Sequence, residues 1–122
     1  MNRLKLNGQP FSEENTLKII FQVVQALNYL HSHKIAHRDL KLENILFTSS
    51  EPNNMSIKLI DFGFASKFEE GKQMDLILGS PLYMAPELVR KQKYTEKVDV
   101  WALGCITYLL LSGTIPFQSH TI

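Results

Sequence analysis

The stretch from Glu96 to Ser112 constrains the fold more than any other, because it is apolar on nearly every side of a helix. A helix of that pattern has to be surrounded by protein. Thr95 is a candidate cap at its start, and Gly113 is placed to stop it. Asp99 sits near its beginning, and a carboxylate among so many apolar neighbours is tolerated only when paired. One other segment is long enough to pack on it. Ser12 is a candidate N-cap, with Glu13 and Glu14 in the first turn where the helix dipole favours negative charge. Leu17, Ile20, Phe21, Val24, Leu27 and His31 then recur at three- and four-residue spacing, and Ile19, Val23 and Leu30 widen the stripe. This helix should end near His33 and pack on more than one side.

Between the two helices, Ile45-Leu46-Phe47 and Ile57-Lys58-Leu59-Ile60 read as short strands joined by a Ser/Pro/Asn-rich loop. The segment 66–83 has weak periodicity and reads as a loop of the kind that carries function. The resulting class is α+β, mainly helical, with no internal repeat. With 13 basic and 12 acidic residues well mixed, the net charge of +1 offers no field for nucleic acid or an anionic membrane. The apolar run 100–111 is too short to span a bilayer, and the Met1 end lacks a signal-peptide pattern, so an intracellular, cytoplasmic protein is expected. The single cysteine, Cys105, cannot form an internal disulfide and is expected to be a small buried hydrophobe.

Chemistry is concentrated in three short segments. Residues 37–44 read His-Arg-Asp-Leu-Lys-Leu-Glu-Asn; Asp61-Phe62-Gly63 and Ala85-Pro86-Glu87 follow in that order. Each alone would mean little, but together they supply what phosphoryl transfer needs: oxygen ligands for a metal, a cation to neutralise charge, and a carboxylate to orient a hydroxyl. In order, spacing and context they resemble the catalytic loop, the metal-binding DFG and the APE of serine/threonine protein kinases, and the resemblance covers essentially the whole chain. The closing Leu109-Leu110-Leu111-Ser112-Gly113-Thr114-Ile115-Pro116-Phe117 is most similar to the calcium/calmodulin-dependent kinase group.

The resemblance implies a protein kinase-like C-terminal lobe, with residues 1–122 forming a partial kinase domain that lacks the N-terminal lobe and the last helices. The residues before His37 hold neither a G-x-G-x-x-G loop nor a Val-Ala-Ile-Lys-like strand. It implies ATP and Mg²⁺ as cofactors and the Ser/Thr hydroxyl of a protein substrate as acceptor, with neither nucleic acid nor membrane as partner. Asp39 would orient the acceptor hydroxyl, Lys41 would neutralise the moving phosphoryl, and Asn44 and Asp61 would hold the metal, with Gly63 letting the backbone turn. Lys41, Glu43, Asn44, Leu46 and Asp61 would form the cofactor-binding set, Leu46 as the floor of the adenine pocket. Glu43 also matches a position that helps basophilic kinases bind arginine. Ser80 would touch Asp39 and Lys41, His37 and Phe62 would stack beneath the site, and Asp99 would accept hydrogen bonds from the catalytic-loop backbone.

Further expectations concern regulation and packing. Arg38 matches an arginine that in many relatives binds a phosphorylated residue, but Leu76 stands at that position. Asp75, Glu69 or Glu70 is therefore expected to supply Arg38 with a fixed negative charge. Glu87 is expected to lack its usual arginine. The His31, His33, His37 spacing is explained by a helix end followed by the catalytic loop, without a metal. Lys91, Lys93 and Lys97 read as a solvated helix entrance, and Trp101 and Tyr108 as core aromatics. The alternative to a kinase catalytic domain is a non-catalytic, kinase-derived interaction fragment or a truncated gene model, inactive in isolation.

Overall fold

A computed structural model describes the backbone of Asn2–Arg3 and all of residues 9–117. The order is β1 (Asn2–Arg3), α1 (Glu13–Ser32), β2 (Ile35–Ala36), β3 (Ile45–Phe47), β4 (Ile57–Leu59), β5 (Ser66–Lys67), α2 (Pro86–Val89) and α3 (Lys97–Ser112). Single 3₁₀ turns lie at Leu42–Asn44 and Pro81–Tyr83. Two small antiparallel sheets complete it: β3 between β1 and β4, and β2 paired with β5. Among the described residues, three α-helices and a few short antiparallel strands agree with the α+β class read from the sequence. None of the described helices is long and apolar enough to cross a membrane.

The two long helices begin and end for the expected reasons. Ser12 Oγ accepts from the Asn15 N–H at 3.1 Å, satisfying one of the free donors of the first turn. Gly113 closes α3 in the left-handed conformation, φ 83°, with its N–H on the Leu109 carbonyl. Thr95 Oγ1 accepts from the Lys97 N–H at 3.3 Å, so it serves the start of α3 although the residue just before the helix is Glu96.

The core forms where α1 crosses α3. Ile19, Val23 and Leu27 pack with Ala102, Cys105, Ile106, Leu109 and Leu110, and Leu40, Leu42, Ile45, Leu59 and Tyr83 close the cluster from the strand side. The stripe expected on α1 is thereby corrected: Leu17 is 68% exposed, and Phe21 and Val24 are also exposed. Gln22 supplies the physical reason. Its amide donates to the Met55 carbonyl at 2.7 Å and accepts from the Ile57 N–H at 2.9 Å, which fixes the helix rotation with Ile19 and Val23 inward. Tyr108 is likewise exposed rather than in the core, because its side of α3 faces away from α1. Trp101 is half-buried and stacks on Phe117, ring centres 5.5 Å apart.

The segment 66–83 is also more structured than a plain loop. It opens with β5, buries Phe68, pairs Met74 with Tyr94 and ends in the Pro81–Tyr83 turn.

Candidate active site

β2 delivers the chain into the His37–Asn44 loop, and α3 holds that loop by one side chain. Asp99, 1% exposed, accepts the His37 N–H at 2.8 Å on Oδ2 and the Arg38 N–H at 2.9 Å on Oδ1. His31 Nε2 completes the arrangement 2.8 Å from Oδ2. Arg38 takes a positive φ of 69°, a strained turn for a residue with a side chain, and these bonds hold it there. The expected backbone role of Asp99 is therefore present, and His31 is a partner that sequence reasoning missed. Its only sequence signal was its place on the α1 stripe.

Asp39 is fixed at both ends of its peptide. Its N–H donates to His37 Nδ1 at 3.1 Å, and its carbonyl accepts from Asn44 Nδ2 at 2.8 Å. The carboxylate, in a residue only 9% exposed, accepts the Ser80 hydroxyl on Oδ1 at 3.1 Å. Ser80 Oγ in turn accepts from Lys41 Nζ at 2.9 Å, and that ammonium lies 3.8 Å from Asp39 Oδ2. Residues from two distant stretches thus meet in one cluster, with the cation drawn to the carboxylate across a bridging hydroxyl. Gly79 makes the approach possible. It has a φ of 117°, and a Cβ there would lie 3.1 Å from the Arg38 carbonyl.

The hairpin of β3 and β4 places Asp61 beside this cluster. The Ile60 N–H donates to the Asn44 carbonyl at 2.9 Å, so Asp61 directly follows a residue bonded to Asn44. Asp61 is exposed and itself occupies the left-handed region, φ 61°. Gly63, expected to provide that turn, is needed for a different reason: its N–H donates to Asp61 Oδ1 at 3.3 Å, and a Cβ would meet the same oxygen at 3.3 Å. The donor set suits a hard cation. Asn44 uses its amide nitrogen internally, which leaves Oδ1 to accept, and Asp61 offers an exposed carboxylate, so both are oxygen ligands of the kind Mg²⁺ takes. His37 and Phe62 meet edge to face at 5.1 Å, and His37 Nε2 lies 3.2 Å from the Ile60 carbonyl.

Glu43 and Leu46 occupy flanking positions. Glu43 is exposed and accepts from the Tyr83 hydroxyl at 3.4 Å, which ties it to the Pro81–Tyr83 turn. Burial, and secondarily the Glu43 carboxylate, pushes the Tyr83 phenol up to about 12. Leu46 is half-buried in the middle of β3. The Cys105 thiol is buried in the core and pushed up by that burial, as suits a small hydrophobe.

Arg38 departs from expectation. Its Nε donates to the Phe64 carbonyl at 2.8 Å and its Nη1 to the Tyr94 hydroxyl at 3.2 Å. The acids expected to face it are engaged elsewhere, Glu69 with Lys72 at 2.9 Å and Glu70 with Lys34 at 3.0 Å, while Asp75 is exposed. The cause is geometric. β5 pairs with β2, which carries Glu69 and Glu70 over the C-terminal end of α1 instead of over Arg38. The histidines are equally committed, His33 to the Tyr29 carbonyl at 2.8 Å and the other two as above. Among the described residues no group of three or more His, Cys, Asp or Glu side chains is gathered as for a metal ion.

A family model described as protein kinase domain matches residues 1–122. Human death-associated protein kinase 2 is 43% identical over 113 residues, covering 93% of this chain and 30% of that protein. Calcium-dependent protein kinase 5 of Plasmodium berghei (strain Anka) is 48% identical over 108 residues, covering 88% of this chain and 19% of its own length. Probable myosin light chain kinase of Dictyostelium discoideum is 38% identical over 111 residues, 91% of this chain and 28% of that protein. The chain thus spans less than a third of the length of these relatives. With the family model matching residues 1–122 and relatives 43% and 48% identical over most of the chain, the chain belongs to the serine/threonine protein kinase family.

Proposed function

We propose that the chain carries the phosphoryl-transfer centre of a serine/threonine protein kinase, in the C-terminal lobe of its catalytic domain, and moves the γ-phosphoryl group of ATP to Ser/Thr hydroxyls of proteins. The observation that supports this best is the Asp39–Ser80–Lys41 cluster, with Oδ1 of Asp39 taken by Ser80 and Oδ2 beside the Lys41 ammonium. Asp39 Oδ2 orients the acceptor hydroxyl and receives its proton as the oxygen forms its bond to phosphorus and the bond to the β-phosphate oxygen breaks. Lys41 neutralises charge on the transferred group. Asn44 Oδ1 and the Asp61 carboxylate would hold Mg²⁺, which when bound offsets the charge of the ATP phosphates. Leu46 would form the floor of the adenine pocket. The Glu43 carboxylate, which accepts from the Tyr83 hydroxyl, would bind a basic residue near the acceptor. The reading carries with it an intracellular, cytoplasmic setting.

The test is to replace the matching 113 residues of human death-associated protein kinase 2 with this chain and to measure phosphate transfer to a serine peptide. Transfer is expected, with none to the alanine version of the peptide, and Asp39→Asn should lower the rate by about a thousandfold or more. A folded chimera that transfers nothing overturns the reading and favours a non-catalytic interaction role. By itself the 122-residue chain should bind ATP·Mg²⁺ only at about millimolar Kd or weaker, because it holds no glycine-rich phosphate loop.

A further inference from the structure

Outside the motif segments, Tyr94 is the side chain on which separate parts of the site converge. It is 2% exposed, and its hydroxyl is fully used: Arg38 Nη1 donates to it at 3.2 Å, and it donates to the Leu76 carbonyl. Its backbone pairs in both directions with Met74, at 2.7 and 2.9 Å. Arg38 extends the junction, with Nε on the Phe64 carbonyl at 2.8 Å and its own N–H on Asp99 at 2.9 Å. The guanidinium therefore rests on neutral oxygens, a carbonyl and a phenol. Arg38 directly precedes Asp39, and Leu76 lies shortly before Gly79 and Ser80, which pack on the Arg38 carbonyl and the Asp39 carboxylate. Between Ser66 and Ser80 the sequence contains no Ser, Thr or Tyr, so no hydroxyl is present there to receive a phosphoryl group.

We propose that Tyr94 is a positioning residue whose hydroxyl couples Arg38 to Leu76, so that the segment from Phe64 to Ser80 is ordered against the Asp39–Lys41 cluster without a phosphate group or an acidic side chain. The phenol does the work that a charged group would otherwise do for the guanidinium, using one donor and one acceptor on a ring that is itself buried. Only the consequence for rate rests on the phosphoryl-transfer reading; the ordering does not.

Tyr94→Phe keeps the ring and removes the relay. In the 122-residue chain, exchange of the Arg38 Nε–H should speed up about tenfold or more and ¹⁵N order parameters at 76–80 should fall, while the α1 amides from Ile19 to Leu27 keep their exchange rates and order parameters. Tyr108→Phe, an exposed tyrosine on the far side of α3, should change neither. If Tyr94→Phe does not fold, Arg38→Lys tests the same relay from its other end; it keeps the charge and the main-chain bond to Asp99 but not the fork that reaches both Phe64 and Tyr94. Unchanged order at 76–80 with unchanged Arg38 Nε–H exchange, or a loosening shared equally by α1, overturns the proposal. In the kinase chimera, Tyr94→Phe should lower kcat about tenfold with KM for ATP within about twofold. An active chimera whose kcat is untouched also overturns it. A chimera silent with Tyr94 intact counts against phosphoryl transfer and leaves the exchange rates to decide on the relay.

Discussion

The two sides of α3 are alike in sequence and opposite in structure. One carries Asp99, Ala102, Ile106 and Leu110, all buried against α1 and the His37–Asn44 loop. The other carries Val100, Gly104, Tyr108 and Leu111, with Val100 55% and Tyr108 50% exposed. With Trp101, Pro116 and Phe117 that second side forms an open groove of about 700 Å³, with Glu87 and Lys97 at its rim. The apolar residues of the two sides would gain similarly from cover, about 1.5–3 kcal/mol for each fully buried Val, Leu or Phe. Hydrophobicity therefore does not decide which side meets the site. Asp99 does, because its carboxylate is the side-chain acceptor for two loop N–H groups and a histidine, and it can serve them only from one rotation of the helix.

The largest expected effect breaks that arrangement directly. Asp99→Ala leaves the His37 and Arg38 N–H groups buried without an acceptor and opens a small void, a loss of about 3–5 kcal/mol. Against a typical total of about 5–15 kcal/mol this brings the fold near its limit. Chemical denaturation followed by circular dichroism measures it. A loss no greater than that of Val100→Ala would mean that the helix is oriented by packing alone.

A smaller effect comes from pH on the same inner side. Tyr83 is buried, and its phenol is pushed from 10 to about 12, first by burial and then by Glu43. The folded state thus favours the neutral phenol. The stability this contributes is fully present below pH 10 and is lost as pH rises through 10 toward 12, about 3 kcal/mol in all. Denaturation midpoints taken from pH 8 to pH 11 should fall at the alkaline end, and Tyr83→Phe should flatten that fall. A slope that survives the substitution would assign it to another group.

Next in size is Gly79→Ala. The added methyl meets the Arg38 carbonyl at 3.1 Å in a backbone conformation that side chains rarely adopt, a cost of about 1–3 kcal/mol. Because the contact joins Ser80 to the loop, amide exchange at Tyr83 and Met84, whose N–H groups bond the Ser80 and Pro81 carbonyls, should rise before α1 loosens. Uniform loosening would mean that this approach is not a separate unit of stability.

What the sequence made legible was local. Ser12 and Gly113 end their helices through contacts three or four residues away, and the three motif segments carry their own spacing. Asp99 was legible because a lone carboxylate in an apolar helix demands partners. Gln22, His31 and Tyr94 were not, because each acts on residues far off in sequence and nothing local marks it: Gln22 reads as an ordinary helix residue, and Tyr94 as one aromatic in a lysine-rich stretch. The α1 stripe was misphased because Leu17, Phe21 and Val24 recur as regularly as Ile19, Val23 and Leu27. Periodicity cannot choose between two apolar faces; the amide of Gln22 does. The acids assigned to Arg38 failed for a related reason, since proximity in sequence gave no warning that β5 would carry Glu69 and Glu70 to the end of α1.

The smallest effect on stability is expected on the outer side, and it sharpens the comparison most. Val100, Tyr108 and Phe117 are exposed, so replacing all three with serine removes little buried area and should change the unfolding free energy by about 0.5 kcal/mol or less per site. The same surface is an open apolar groove, so the unaltered 122-residue chain should bind a hydrophobic dye and self-associate in sedimentation. The triple variant should lose most of both properties while its denaturation midpoint stays in place. Ile106→Ser is the matched change on the inner side, where the residue is fully buried; it should lower the midpoint sharply and raise dye binding. If the triple variant unfolds as readily as Ile106→Ser, the two sides of α3 are equally structural and the contrast drawn from Asp99 fails. If dye binding persists in a stably folded triple variant, the exposed Leu17, Phe21 and Val24 of α1 become the open surface to examine, and Leu17→Ser with Phe21→Ser separates the two.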